Sequence, residues 1–426
     1  MFVSDCQDPG LSAPSRNPFR PGFNRSPQLL AGRDEILGAA RSALAEAASG
    51  TMPTSLMLVG SRGVGKTVLL REVADIAGQH YGSPRLRVEV TSPGSFVPHL
   101  LHEAALVEQT LGTTRPAGGL HAASATIRAG VAGVGAEVTL DRSAAPAFPD
   151  YYLIRDALAR LAETLRTTGS PLVVTVDEAQ VASRDDLSSF AAALQYGEEE
   201  DWPVVVVLAG LPSMRDPGRS VTYFERSNWY EVTSLDRSAT IEALGVPAQQ
   251  AGRPFEPAAL QHLAERTGGY PYAVQLYGYH AWSVSEGHGR ITLAHAQAAA
   301  GPANTQLEQG LYLSRWNQAS RREQEYLAAV AAVIARGESA TATSIAAQLG
   351  RAPKEVAVYR ERLIAKGTLV TDGRQSAFTV PGMAGFVQRT AAAARRRGAG
   401  GDEEAARAIH STQRGRRRPR PPDLGR

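Results

Sequence analysis

The stretch Gly60-Ser61-Arg62-Gly63-Val64-Gly65-Lys66-Thr67 decides how this chain is read. It has the form G-x-x-x-x-G-K-[ST]. An apolar run, residues 55–60, precedes it and predicts a short strand. A helical pattern from Lys66 to about Gly78 follows it. In that setting the glycines let successive backbone N–H groups wrap a β-phosphate, and the helix N-terminus adds a favourable field. Lys66 is placed to reach the β- and γ-phosphates, and the Thr67 hydroxyl to ligate Mg²⁺. A plain glycine turn is the competing reading. Against it, the chain has only three lysines (Lys66, Lys354, Lys366), and one stands where the motif needs it.

A second element supports the first. Leu172-Val-Val-Thr-Val-Asp177-Glu178 reads as a buried strand ending in two acids. Asp177 can hold Mg²⁺ through water, and Glu178 can polarise an attacking water. The competing reading is two acids that cap the next helix.

Working outward, apolar strands alternate with helices. Residues 32–47 carry apolar positions at helical spacing; Arg85–Val90 reads as a strand and Leu100–Leu111 as a helix. Residues 129–140 suggest a small inserted hairpin. Tyr151–Arg166 and Leu187–Glu199 read as helices, and Pro203 opens the strand VVVVLAG. Near-continuous apolar strands between helices predict a parallel sheet covered on both faces, an α/β P-loop NTPase core over 29–235. Residues 1–28, rich in Pro, Gly, Ser and Asn, read as a disordered leader. After Leu235 the aliphatic strands stop, and 236–319 read as a helical lid and linker.

The C-terminal third has another pattern. Three helices (Arg322–Ala335, Ala342–Leu349, Pro353–Lys366) precede two short strands around an Asp372-Gly373 turn, a strong hairpin signal. Over 320–389 this reads as a winged helix-turn-helix with Ile345, Ala346, Leu349, Val356, Leu363 and Ile364 in its core. Its third helix would enter a major groove with Lys354, Tyr359, Arg360 and Arg362 exposed; Arg351 and Arg374 would meet phosphate. Glu355 and Glu361 on the same helix argue against this, and protein docking or plain packing is the rival reading.

These residues, in this order, resemble an AAA+ ATPase of the origin-recognition/initiator type, close to the STAND-like ATPases, over roughly 29–390. Gly32-Arg33-Asp34-Glu35 is similar to that family's entry motif beside the adenine, which implies that Arg33 shapes the base pocket. Tyr223-Phe-Glu-Arg226 looks like its Y-x-E-R element. Arg226 would then be an arginine finger or an intramolecular γ-phosphate sensor; a surface salt bridge with Glu225 or Asp216 is the plain alternative. The fourth core strand ends Val207-Leu-Ala-Gly-Leu-Pro-Ser213 with no Asn at the usual sensor place, leaving Ser213 as a candidate. Arg266-Thr-Gly-Gly-Tyr-Pro271-Tyr272 resembles the Gly-x-Pro element of such lids. No Arg follows Pro271 before Arg290, so the usual second-sensor arginine is missing. Pro271 would close over the nucleotide, or simply start a helix. With both sensors atypical, the resemblance implies slow hydrolysis of ATP and use of ATP as a conformational switch.

Composition sets the remaining bounds. From Ala391 to Arg426 there are ten Arg against four acids, so the basic pI of about 9.0 is a property of the end rather than the body. That tail, 390–426, reads as disordered because Pro and Gly oppose a helix; it could hold nucleic acid loosely. The single Cys6 allows no internal disulfide and fits a reducing cytoplasm. No secretory signal opens the chain, and the longest apolar runs are strand length, short of the roughly 18–20 residues a membrane helix needs. The expectation is a cytoplasmic ATPase with Mg²⁺ and double-stranded DNA as partners. A homo-oligomer or a protein partner is the alternative company, and an ordinary metabolic kinase is disfavoured for want of an acceptor domain.

Overall fold

The computed structural model describes residues 16–22, 25–112, 149–216, 221–372 and 374–394. The chain divides into two compact units, residues 1–300 and 301–426.

The first unit is built on five parallel strands: β1 (Leu56–Val59), β2 (Arg85–Glu89), β3 (Leu172–Asp177), β4 (Val204–Gly210) and β5 (Asn228–Glu231), in the order β2-β3-β4-β1-β5. β1, β3 and β4 are buried at every position, as their unbroken apolar sequences require. Helices α1 (Asp34–Ala48) and α2 (Lys66–Tyr81) cover one face; Leu44, Leu69 and Val73 pack there against Leu56, Val205 and Val207. Helices α3 (Phe96–Thr110), α4 (Asp150–Arg166) and α5 (Arg184–Glu199) cover the other, with Phe96, Leu161 and Phe190 against Met57, Val174 and Val206. Ser183 and Asp186 start α5 with a reciprocal capping box. The short α6 (Thr222–Glu225) leads into β5. α7 (Arg237–Gln250), α8 (Pro257–Thr267), α9 (Pro271–Val284) and α10 (Leu293–Leu307) follow.

Two features differ from the sequence reading. β5 has no counterpart there: its NWYE sequence carries no apolar run, because it is an edge strand with only half-buried central residues. Residues 16–22, expected as part of the disordered leader, lie on α9. Phe19 is 2% exposed, and its ring fills the space a side chain at Gly278 would need. Asn17 Nδ2 donates to the Tyr279 carbonyl and the Arg20 N–H to Gln275 Oε1. One aromatic ring in a Pro- and Gly-rich segment is enough to fix it. The hairpin expected at 129–140, residues 1–15 and the basic run from 395 lie outside the described residues.

The second unit holds a π-turn at Glu308–Tyr312 and the helices α11 (Leu313–Gln318), α12 (Arg321–Ala335), α13 (Ala342–Leu349) and α14 (Pro353–Ala365). An antiparallel hairpin, β6 (Leu369–Asp372) with β7 (Gln375–Phe378), completes it. Ile345, Ala346, Val356 and Leu363 are buried as expected, while Leu349 and Ile364 are half-buried. An isolated bridge from Thr341 to Gln375 ties the start of α13 to the hairpin. An ion pair joins the end of α14 to the start of α12: Lys366 Nζ donates to Glu323 Oε2 at 2.7 Å, with the Glu323 side chain 2% exposed. The Ser320 N–H donates to the same oxygen at 2.6 Å.

Burial pushes the Glu323 carboxyl up, but the bond from Lys366 and those from Ser320 outweigh it and hold it below its ordinary value. Its contribution to stability is therefore present above the unfolded carboxylate range, near pH 4, and is lost as pH falls through the lowered folded value. Glu323→Gln is expected to speed hydrogen exchange of Arg321–Ala335 at pH 7. The gap from wild type should close as the pH falls through the lowered folded value of this carboxyl.

Candidate functional site

The Gly60–Thr67 loop connects β1 to α2 as the sequence requires. Gly63 and Gly65 have φ of +85° and +100°, values that side chains resist, and Gly65 is the N-cap of α2. Lys66 is 8% exposed and folds back over the loop, donating to the carbonyls of Gly60 and Ser61, both at 2.8 Å. Thr67 is half-buried on the first turn of α2.

Three other elements fasten to the same loop. Arg33, at the start of α1 and 8% exposed, donates through Nη2 to the Val64 carbonyl at 3.1 Å and the Thr233 carbonyl at 2.6 Å. Burial pushes its guanidinium below its ordinary value. It thus ties the loop to the segment leaving β5. Tyr270, the residue before Pro271, is 1% exposed, and its hydroxyl donates to the Arg62 carbonyl at 3.2 Å. A Cβ on Gly63 would overlap that hydroxyl. Tyr270 is held in turn by Gly268 and Gly269, both left-handed, with the Leu235 N–H donating to the Gly269 carbonyl at 2.8 Å. Pro271 is the first residue of α9, in keeping with the plain reading. The third element is the acid pair. Arg62 Nη2 lies 3.7 Å from Glu178 Oε2.

Asp177 and Glu178 end β3 on the loop's side of the sheet but differ in setting. Asp177 is 6% exposed and accepts the Glu178 N–H at 2.9 Å. Glu178 is half-exposed and left-handed, with φ of +54°. Such a backbone in a residue other than glycine stores roughly 1–3 kcal/mol of strain, which the surrounding contacts must hold. Gln180, which is not among the sequence candidates, donates through Nε2 to Glu178 Oε2, and its Oε1 accepts the Leu211 N–H at 3.0 Å. Its only signal in the sequence is a polar residue two places beyond the acids. Beside Gln180 opens an apolar cavity of about 490 Å³, lined by Met57, Leu187, Met214, Phe224 and Trp229.

Not every expected residue joins this site. Arg226 is exposed at the end of α6, without a salt bridge among the described residues. It precedes β5, whose first residue, Asn228, pairs with Leu56 at the far end of β1 from Gly60. Four strand residues, about 13 Å, separate those two levels. Ser213 lies in a 3₁₀ turn beyond β4. In the second unit, Lys354, Arg362 and Arg374 are exposed and Arg351 is half-buried. Arg360, expected outside, is half-buried and donates to Thr371 Oγ1 at 3.3 Å, because α14 packs against β6 on that side. Glu355 accepts the Ala352 N–H at 3.2 Å and so caps its own helix.

Strand order, phosphate-type loop and acid-tipped β3 define a P-loop NTPase fold, with a helix-rich region after it. Residues 29–207 match the model of the AAA ATPase domain, and residues 309–387 match a domain of unknown function (DUF8462). No curated protein matches the sequence. Among solved structures, a Walker-type ATPase of Pyrococcus abyssi is similar at a TM-score of 0.54 and 16% identity, covering 84% of this chain and 96% of that one. The Cdc6p of Pyrobaculum aerophilum is similar at 0.43 and 15%, covering 86% and 96%. The Orc1 protein of Aeropyrum pernix, solved with DNA, is similar at 0.42 and 16%, covering 87% and 95%.

The contact between Gly63 and Tyr270 has a direct test. Gly63→Ala puts a methyl where the phenol stands and is expected to destabilise the first unit by roughly 1–3 kcal/mol. Hydrogen exchange across Pro271–Val284 should rise. Adding Tyr270→Ala should remove part of the effect, so that the two changes are less than additive by denaturant titration.

Proposed function

We propose that the first unit binds ATP with Mg²⁺ and hydrolyses it slowly, and that the second unit is a winged helix through which this cycle controls contact with duplex DNA. The observation that carries the ATPase reading is the Arg62–Glu178 approach. It brings the glycine loop and the acid pair to one place, as hydrolysis requires. The residues suit the ligand. Gly63 and Gly65 give the loop the backbone turn that presents N–H groups to phosphate, and Lys66 already sits over it on carbonyls it can exchange for phosphate oxygens. Thr67 and the buried Asp177 would hold Mg²⁺, which supplies charge neutralisation for the β- and γ-phosphates. Glu178 would take the proton of the attacking water. Arg33 and Pro271 would border the base. Arg226, set towards the opposite end of the strands from the glycine loop, would better serve the site of a neighbouring copy than its own, which favours an oligomer.

For DNA, the support is three exposed cations, Lys354 and Arg362 on α14 and Arg374 in the hairpin, with Glu355 spent on the helix cap and Arg351 nearby in sequence. Arg360 would contribute less than its position in the sequence suggests. The second reading is a STAND-like switch that docks protein. Val358 on α14 and Val370 on β6, 40% and 37% exposed, favour it. Among the described residues no helix is long and apolar enough to cross a membrane.

Lys66→Ala should lower ATP affinity at least a hundredfold in equilibrium binding, and unchanged affinity would remove the phosphate-loop assignment. Glu178→Gln should bind ATP as wild type does yet turn it over at least a hundredfold more slowly. Alanine at Lys354, Arg362 and Arg374 together should weaken duplex binding at low salt and reduce the salt slope by about one for each cation removed. Duplex affinity that is undetectable at low salt with ATP present would leave the protein-docking reading.

A further inference from the structure

The carboxylate of Glu178 is held through one oxygen. Oε2 accepts from Gln180 Nε2 and faces Arg62 Nη2 at 3.7 Å; Oε1 has no partner among the described residues. The orientation of the Gln180 amide follows from its other end. Oε1 faces a backbone N–H, that of Leu211, which can only donate, so the amino group must face Glu178. A flipped amide would set donor against donor and oxygen against carboxylate.

Gln180 also fills a corner that β4 leaves vacant. The strand ends Leu208-Ala209-Gly210 and Leu211 follows it, with no polar side chain to offer the acid pair. A Cβ on Gly210 would overlap the Met214 sulfur and lie 2.9 Å from Gln180 Oε1, so the glycine is where it is because the glutamine amide and the thioether occupy that space. Gln180 stands in the 3₁₀ turn Ala179–Val181, which follows the left-handed Glu178 directly. The amide bridge from Leu211 to Glu178 therefore closes the strained turn and pins the carboxylate to the end of β4.

We propose that Gln180 is the positioning residue of the hydrolytic site. It supplies from the acid-bearing turn the polar group that the end of β4 lacks, and fixes Oε2 so that the unpartnered Oε1 is the atom aimed at water. The inference rests on the reading of Glu178 as the base for ATP hydrolysis.

The test uses the full chain with ATP and Mg²⁺. Gln180→Met keeps the length and removes both hydrogen bonds. Gln180→Glu keeps an acceptor for Leu211 but replaces the donor to Glu178 by a like charge, and it guards against a packing failure in the first variant. Both are expected to lower kcat by roughly tenfold to a hundredfold with KM for ATP within about twofold of wild type, the size expected when a group that orients a functional side chain is removed. In a Glu178→Gln background, measured by single-turnover assay, neither change should slow the residual reaction further, because the residue acts through that carboxylate. Wild-type or higher kcat in both variants, or an equal fall in the Glu178→Gln background, overturns the proposal while leaving the ATPase reading intact. If wild type and Glu178→Gln turn over ATP equally, or neither does, the ATPase reading fails and this inference with it.

Discussion

Lys66 folding onto the carbonyls of Gly60 and Ser61 is the contact on which the rest of the site depends. The ammonium of a lysine only 8% exposed must be satisfied, and the loop's own oxygens accept from it. The loop curls beneath it, with Gly63 and Gly65 left-handed. The neighbouring carbonyls then become attachment points: Val64 for Arg33, Arg62 for Tyr270. The Arg62 side chain reaches the acids of β3. Three segments far apart in sequence thus read the shape of one eight-residue turn. A triphosphate arriving there would draw the lysine off its carbonyls and disturb contacts to α1, to α9 and to Glu178 together.

What is legible in the sequence follows from how each feature is encoded. The loop, β1, β3 and β4 can be read directly, since a fully buried parallel strand must be an unbroken apolar run and a phosphate loop needs glycine at fixed places. In the second unit, α13 matches its expected span residue for residue, bounded by the Thr341 cap and left-handed Gly350. β5 escapes because an edge strand is wetted and carries no such run. The docking of Phe19 escapes because one aromatic has no period, and its receptor, Gly278, lies more than 250 residues away. Gln180 escapes for a related reason. Its role is set by Leu211 and the missing side chain of Gly210, on a strand that is its neighbour only after folding.

Charge is legible only in sum. The basic pI comes from a run of arginines beyond the described residues, so the folded second unit has to be judged cation by cation. There the sequence misleads on both signs. Arg360 turns towards Thr371 against the hairpin, and Glu355, counted as a repulsive acid, serves the N–H of Ala352. A helix that packs on a two-stranded ribbon must give up one of its polar faces, and linear spacing does not say which.

The two acids at the tip of β3 show the same limit at closer range. In sequence Asp177 and Glu178 are adjacent and alike. In the fold, one is the last residue of a buried strand, 6% exposed, its Oδ1 on the next backbone N–H. The other is turned out of the strand direction by a left-handed φ of +54°, half in water, with its carboxylate moored by an amide. Strain is what separates them. An extended Glu178 would continue the strand's alternation and direct its side chain to the opposite face from Asp177. The left-handed turn lets both carboxylates remain at the same edge of the sheet, beside the loop. A buried, fixed acid suits a static ligand role. A half-exposed acid anchored at one oxygen suits exchange with water. The backbone angle at a single residue is thus what gives two neighbouring acids different settings at one end of the sheet.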